Sequence, residues 1–187
     1  MDAVFSRRRF TVDDFHRIGE AGILDGRERV ELLDGQIIEM APIGSRHAAC
    51  VRRLNRLLGT HIPSELVVDV QNPVHIDELT ELVPDLTVLR PQADFYAAGH
   101  PRPEDVLLVV EVADTTLPYD RNVKMRRYGS VGIPEAWLVD LPNRRIEVFC
   151  NPSPEFGYTE SASLAEGASV ESISVTGLSL EVCDVLG

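Results

Sequence analysis

Val106-Leu107-Leu108-Val109-Val110-Glu111 is the stretch whose reading decides the fold. An unbroken apolar run that ends in a carboxylate describes a strand buried on both faces, as at the middle of a sheet covered by helices. A charged group closing such a strand must be paired, protonated or bound to a cation, because leaving it charged and dry is costly. Two readings therefore stand for Glu111: a salt bridge to Lys124 or an arginine, or a ligand to a divalent cation. Upstream, Pro84-Asp85 lies in the preceding strand, Leu82 to Leu89, and supplies a second carboxylate. Downstream, Asp114-Thr115-Thr116-Leu117-Pro118 turns into a helix expected over 119–130, bracketed by Gly129 and Gly132 and stopped by Pro134. Asp120, Lys124 and Tyr128 stand on it at i, i+4 and i+8, on one face. Either Asp120 and Lys124 make a surface pair, or the lysine is aimed at the two acids. Carboxylate oxygens are hard ligands that suit Mg²⁺, commonly one or two of them together with phosphate and water. A lysine beside them can orient water or stabilise charge developing on a phosphate. The chemistry expected of this stretch is metal-dependent phosphodiester hydrolysis.

Working outward, Thr11 caps a short helix that runs to about Glu20 and stops near Gly22, with Asp13 and Asp14 at its positive end. Arg29-Val30-Glu31-Leu32-Leu33 and Gln36-Ile37-Ile38-Glu39-Met40 flank Asp34-Gly35, a strong local signal for a β-hairpin. Glu31 is either a solvated hairpin acid or a contributor to an acidic site. From Ser45, read as the cap, to His61, the apolar residues Ala48, Val51, Leu54 and Leu58 recur at helical spacing. His47 falls in the first turn, where the helix dipole disfavours the imidazolium form. It is either bonded to backbone or free to touch phosphate, water or metal. Residues 65–76 read as one extended strand with an edge or bulge at Pro73. Residues 90–105 read as a surface loop that shapes or covers the site. After the central helix, Glu135–Leu141 and Arg145–Phe149 form a strand pair, and a terminal apolar patch follows at Leu178–Val182. That patch is read as buried within the monomer or, as a second use, as a contribution to a homodimer interface.

With 187 residues and ordinary apolar and charged fractions, 44% and 26%, the chain fits a single domain over 1–187 with a sizeable core. No apolar run approaches the ~20 residues of a membrane span, and Met1–Arg9 lacks an apolar signal segment, so a cytoplasmic location is expected and no membrane partner. Cys50, Cys150 and Cys183 are scattered, which suits a reducing compartment and suggests no zinc site. The net charge of −12 opposes tight non-specific DNA binding. Local compensation is expected from Arg46, Arg52, Arg53 and Arg56, from Lys124, Arg126 and Arg127, and from a bound divalent ion.

Glu31-Leu32-Leu33-Asp34-Gly35 with Met40, His47, Pro84-Asp85 and Glu111-Val112-Ala113-Asp114-Thr115-Thr116 follow one another in a recognisable order. So do Asp120-x-x-x-Lys124-x-x-x-Tyr128 and Gly132-Ile133-Pro134-Glu135-Ala136-Trp137-Leu138-Val139-Asp140. On these residues the chain resembles the Uma-type restriction-endonuclease family of the PD-(D/E)xK nuclease superfamily, from about Phe10 to Leu186. The resemblance implies an α/β (α+β) restriction-endonuclease-like core, a mixed β-sheet flanked by helices in α-β-β-β-α-β order, here with an N-terminal β-hairpin. It implies Asp85 and Glu111 as ligands to Mg²⁺ or Mn²⁺, with nucleic acid, DNA in the first instance, as substrate. The superfamily lysine lies two residues after the second acid, but here that position is Ala113; Lys124 on the following helix takes its place, held by Asp120. Glu31 and His47 match auxiliary positions. Dimerisation is implied for a nuclease that cuts both strands. The rival expectation is a catalytically silent nuclease fold that serves as a binding or scaffolding module. A hydrolase using the same acids on a smaller substrate is a third, without a GxSxG elbow or Cys/His pair to support covalent catalysis.

Overall fold

The computed structural model describes residues 7–24 and 29–187; the start of the charged amino-terminal stretch, 1–6, lies outside them. Helix α1 (Val12–Glu20) begins at the expected cap, with Thr11 and Asp14 closing a reciprocal capping box. Strands β1 (Val30–Leu33) and β2 (Gln36–Glu39) form the hairpin, and Asp34 and Gly35 both adopt positive φ at its turn. Helix α2 spans Ser45–His61 and buries Cys50, Val51, Leu54 and Leu58. Its cap is Gly44, with no side-chain hydrogen bond, so Ser45 is the first helical residue rather than the cap.

The two strands expected at 65–76 and 82–89 are each cut in two. Strands β3 (Val67–Val70) and β6 (Leu86–Leu89) pair with each other in one sheet, whereas β4 (Val74–Asp77) and β5 (Thr80–Leu82) pair in another. Proline has no N–H for a ladder, and Pro73 and Pro84 each fall between the two paired segments of their stretch. Gln71 adopts φ 54° there, and its N–H donates to the Asp85 carbonyl at 3.1 Å. One long hairpin thus passes from sheet to sheet, and Asp85 occupies the break.

The main sheet has the order β10-β9-β8-β7-β6-β3. Strand β7 (Val106–Ala113) is buried along its whole length, as its apolar run dictates. Its pairing with β8 (Glu135–Asp140) is parallel, and the other neighbours in this sheet are antiparallel. Strands β9 (Arg145–Ser153) and β10 (Gly157–Ala165) complete it. The crossover from β7 to β8 is a helix in three parts: α3 (Leu117–Tyr119), a π-helical turn (Asp120–Lys124) and α4 (Met125–Ser130). A Cβ on Gly129 would come within 2.3 Å of the Gly157 backbone, so glycine lets α4 lie directly on the sheet.

Leu108, Val110 and Val112 of β7 pack on one face of this sheet with α2 and the C-terminal residues. Val109 and Ala113 pack on the other with Met125 and Tyr128 of α4. Glu111 alternates onto that second face. The smaller sheet, β2-β1-β5-β4, brings the N-terminal hairpin against it. Strands β11 (Ser169–Glu171) and β12 (Ser179–Glu181) and helix α5 (Val182–Leu186) end the chain. Leu178, Leu180 and Val182 are buried in the monomer, the first of the two uses expected of this segment. The architecture is a mixed α+β sheet flanked by helices, with the expected hairpin.

Candidate active site

Register brings the two acids together. Leu86 lies opposite Val110 in the antiparallel β6–β7 pair, so one step further along places Asp85 beside Glu111. The backbone N–H of Val112 donates to Asp85 Oδ2 at 2.9 Å, tying the break in the hairpin to the end of the central strand. His47, entering from the first turn of α2, shares a second hydrogen bond with the same oxygen at 2.9 Å. Gln71 Nε2 donates to Oδ1 at 3.0 Å. Burial pushes the Asp85 carboxyl up, but these hydrogen bonds and the imidazole outweigh it and hold the group below its ordinary value.

Glu111 is the opposite case. Among the described residues only one of its oxygens, Oε1, is engaged, by Lys124 Nζ at 3.1 Å and Tyr128 Oη at 2.6 Å. Burial is the largest influence on it and pushes its pKa up to about 8; Lys124 opposes this, while Asp85, Asp120 and Glu31 add to it. Lys124 is itself buried, and the N-terminal hairpin fixes it: Glu31 on β1 accepts from Nζ at 2.7 Å and from the Val83 N–H at 2.9 Å. Burial alone would lower the Lys124 pKa, but Glu111 and Glu31 outweigh it and keep the ammonium charged. Asp120 lies close by, but its carboxylate takes a 2.5 Å hydrogen bond from the Thr116 hydroxyl rather than from Lys124. The expectation that Asp120 grips the lysine is corrected to a purely electrostatic influence. Burial, the largest cause, and the nearby acids raise its pKa.

All of the expected residues therefore converge. Asp85, Glu111, His47, Asp120 and Lys124 line one cleft of about 120 Å³, and Glu31 stands behind Lys124. Met40, Ala41, Pro42, Ile43 and Gly44, between β2 and α2, form its apolar wall. The loop at 90–105 is not part of it: Gln92, Tyr96 and His100 line a separate depression with His16 and His75. Sequence reading missed Gln71, whose only signal was its place before a proline-broken strand, and Tyr128's bond to Glu111. A π-helical turn underlies the lysine's position. Lys124 Nζ reaches Glu111 on β7 and Glu31 on β1.

The donor set suits a hard divalent cation. Four carboxylates surround one ammonium group, Asp85 Oδ1 has spare acceptor capacity, and among the described residues no donor reaches Glu111 Oε2. No group of three or more His, Cys, Asp or Glu poised to bind a metal occurs among the described residues. Of the basic groups expected to offset the net charge, Lys124 is enclosed by acids, Arg127 pairs with Asp34 and Asp77, and Arg53 bonds the carbonyls of Val185 and Leu186. Arg46, exposed at the mouth, faces Asp114 at 3.4 Å, and Arg52 and Arg56 remain open to solvent. No described helix is long and apolar enough to cross a membrane.

A family model described as "Uma2: Putative restriction endonuclease" matches residues 12–183. The fold matches the crystal structure of a putative nuclease belonging to DUF820 from Anabaena variabilis ATCC 29413. The TM-score is 0.68 at 17% identity, over 95% of this chain and 97% of that one. No curated protein matches significantly.

Proposed function

Because the chain belongs to the Uma2 restriction-endonuclease family, we propose that it is a Mg²⁺- or Mn²⁺-dependent endonuclease hydrolysing phosphodiester bonds of DNA. The observation that carries this reading is the convergence of Asp85, Glu111 and Lys124 in one cleft from three separate elements. Asp85 and Glu111 would hold the cation, which when bound lowers the pKa of a coordinated water and polarises the scissile phosphate. His47, Gln71 and the Val112 N–H keep Asp85 ionised and fixed in orientation. Lys124 stays protonated between Glu31 and Glu111 and presents positive charge where the phosphate gains negative charge. A cleft of about 120 Å³ is too small to enclose a base pair, so the nucleic acid would lie across its mouth.

The test is supercoiled plasmid incubated with Mg²⁺ or Mn²⁺. Wild type should nick it, and Asp85→Ala and Lys124→Ala should not, while both variants keep the fold by circular dichroism. Equal activity in all three proteins would reject the assignment. One observation favours a catalytically silent binding module instead: Lys124 is held between two carboxylates and 1% exposed. Plasmid left intact by a wild type that still binds Mn²⁺ through Asp85 would select that reading.

A further inference from the structure

Tyr128 lies outside the cleft lining, fully buried on α4, yet its hydroxyl makes the shortest hydrogen bond to Glu111, 2.6 Å to Oε1. Lys124 Nζ donates to that same oxygen at 3.1 Å. A carboxylate oxygen has about two acceptor positions, so Oε1 is saturated. A phenol is a reliable donor at neutral pH, since its ordinary pKa is near 10. We propose that Tyr128 is a positioning residue that, with Lys124, locks Oε1 and leaves Glu111 to meet a cation through Oε2 alone. The inference rests on the metal-dependent reading above and goes beyond it by assigning the oxygens.

Asp85 is prepared in the same manner. His47 and the Val112 N–H both engage Oδ2, whereas Oδ1 takes one donor, Gln71. Each acid thus has one oxygen held by two protein donors and one oxygen with capacity left. A cation bound by one oxygen of each acid keeps most of its coordination sphere for water and phosphate, the arrangement Mg²⁺ favours. Fixing a ligand from behind is also how outer partners sharpen metal affinity. Tyr119 supplies the internal control. Its hydroxyl is buried near the same acids but makes no hydrogen bond among the described residues.

Titration calorimetry of the full chain with Mn²⁺ alone tests the assignment in wild type, Tyr128→Phe and Tyr119→Phe. Tyr128→Phe keeps the ring in the core and removes only the donor. It should weaken Mn²⁺ about tenfold or more, with Tyr119→Phe close to wild type. Equal affinity in wild type and Tyr128→Phe, or an equal loss in Tyr119→Phe, overturns the inference while leaving the metal site standing. A wild type that binds no Mn²⁺ overturns the metal-dependent reading, and this inference with it. The wild type alone gives a second readout that does not depend on the variant folding. A cation drawing charge from Glu111 weakens the Tyr128 hydrogen bond, so Mg²⁺ should shift the near-ultraviolet absorption of tyrosine. No shift at saturating Mg²⁺ also overturns it.

Discussion

Glu111 and Glu135 sit on neighbouring parallel strands, both buried, and the chain treats them in opposite ways. Glu135, at the start of β8, accepts from Trp137 Nε1, from the Ser172 and Ser174 hydroxyls, and from the Ile173 and Ser174 N–H groups, all within 3.0 Å. Both its oxygens are covered by neutral donors, and the turn before β12 is thereby anchored to the sheet. Glu111, toward the carboxyl end of β7, has one covered oxygen and three acidic neighbours that raise its pKa. A buried carboxyl group surrounded by neutral donors is a structural fastening. One crowded by other acids and left half-satisfied marks a candidate functional position. The carboxyl ends of parallel strands are also where open α/β sheets place their ligands.

That contrast breaks if exchanging the roles costs nothing. The largest expected effect is on activity: Glu111→Ala should lower metal-dependent plasmid nicking by on the order of 10³-fold, with the fold intact by circular dichroism. Glu135→Ala should do the reverse. It strands several buried donors and frees the 172–174 turn, costing about 3–5 kcal/mol in denaturant unfolding. Mn²⁺ affinity of the folded fraction should stay as in wild type. If Glu111→Ala destabilised the chain as strongly as Glu135→Ala, the distinction between the two acids would be lost.

The two acids were not equally legible. Glu111 announced itself by ending an apolar run, whereas Pro84-Asp85 in the preceding strand says little alone and was picked out by the family resemblance. Glu135 was read as an ordinary strand residue, because its partners lie at 172–174, far along the chain, and nothing local encodes that docking. The hairpin at Asp34-Gly35 and the helix from Ser45 were readable for the same local reason: turn chemistry and apolar spacing are short-range. The splitting of 65–76 and 82–89 between two sheets was not. Pro73 signalled an edge or bulge, but Pro84 was read within a continuous strand, and the division between sheets depends on long-range pairing register. Nor was Asp120's true partner readable, since Thr116 and Lys124 both lie four residues from it and spacing does not choose between them.

The smallest effect expected is on the pH dependence of stability, through Glu111 alone. Glu111 carries a folded-state pKa raised from 4.5 to about 8, chiefly by burial. The unfolded chain therefore gives up this proton more readily than the folded one. Above pH 4.5 ionisation favours unfolding, and the penalty grows until about pH 8, where the folded group ionises too. Lys124, whose pKa is raised above 10.5, stays protonated throughout that window and adds no slope. Glu111→Gln keeps the shape without the charge, so the metal-free variant should gain stability relative to metal-free wild type between pH 5 and 8 and gain no more above it. Each pKa unit is worth about 1.4 kcal/mol at most, and the measured gain should be smaller because the neighbouring acids relax. Chemical unfolding in chelator at pH 5, 6.5 and 8 reads the difference directly. A flat difference across that range would mean that Glu111 is ionised and comfortable without metal, and would place it with Glu135 among the structural acids.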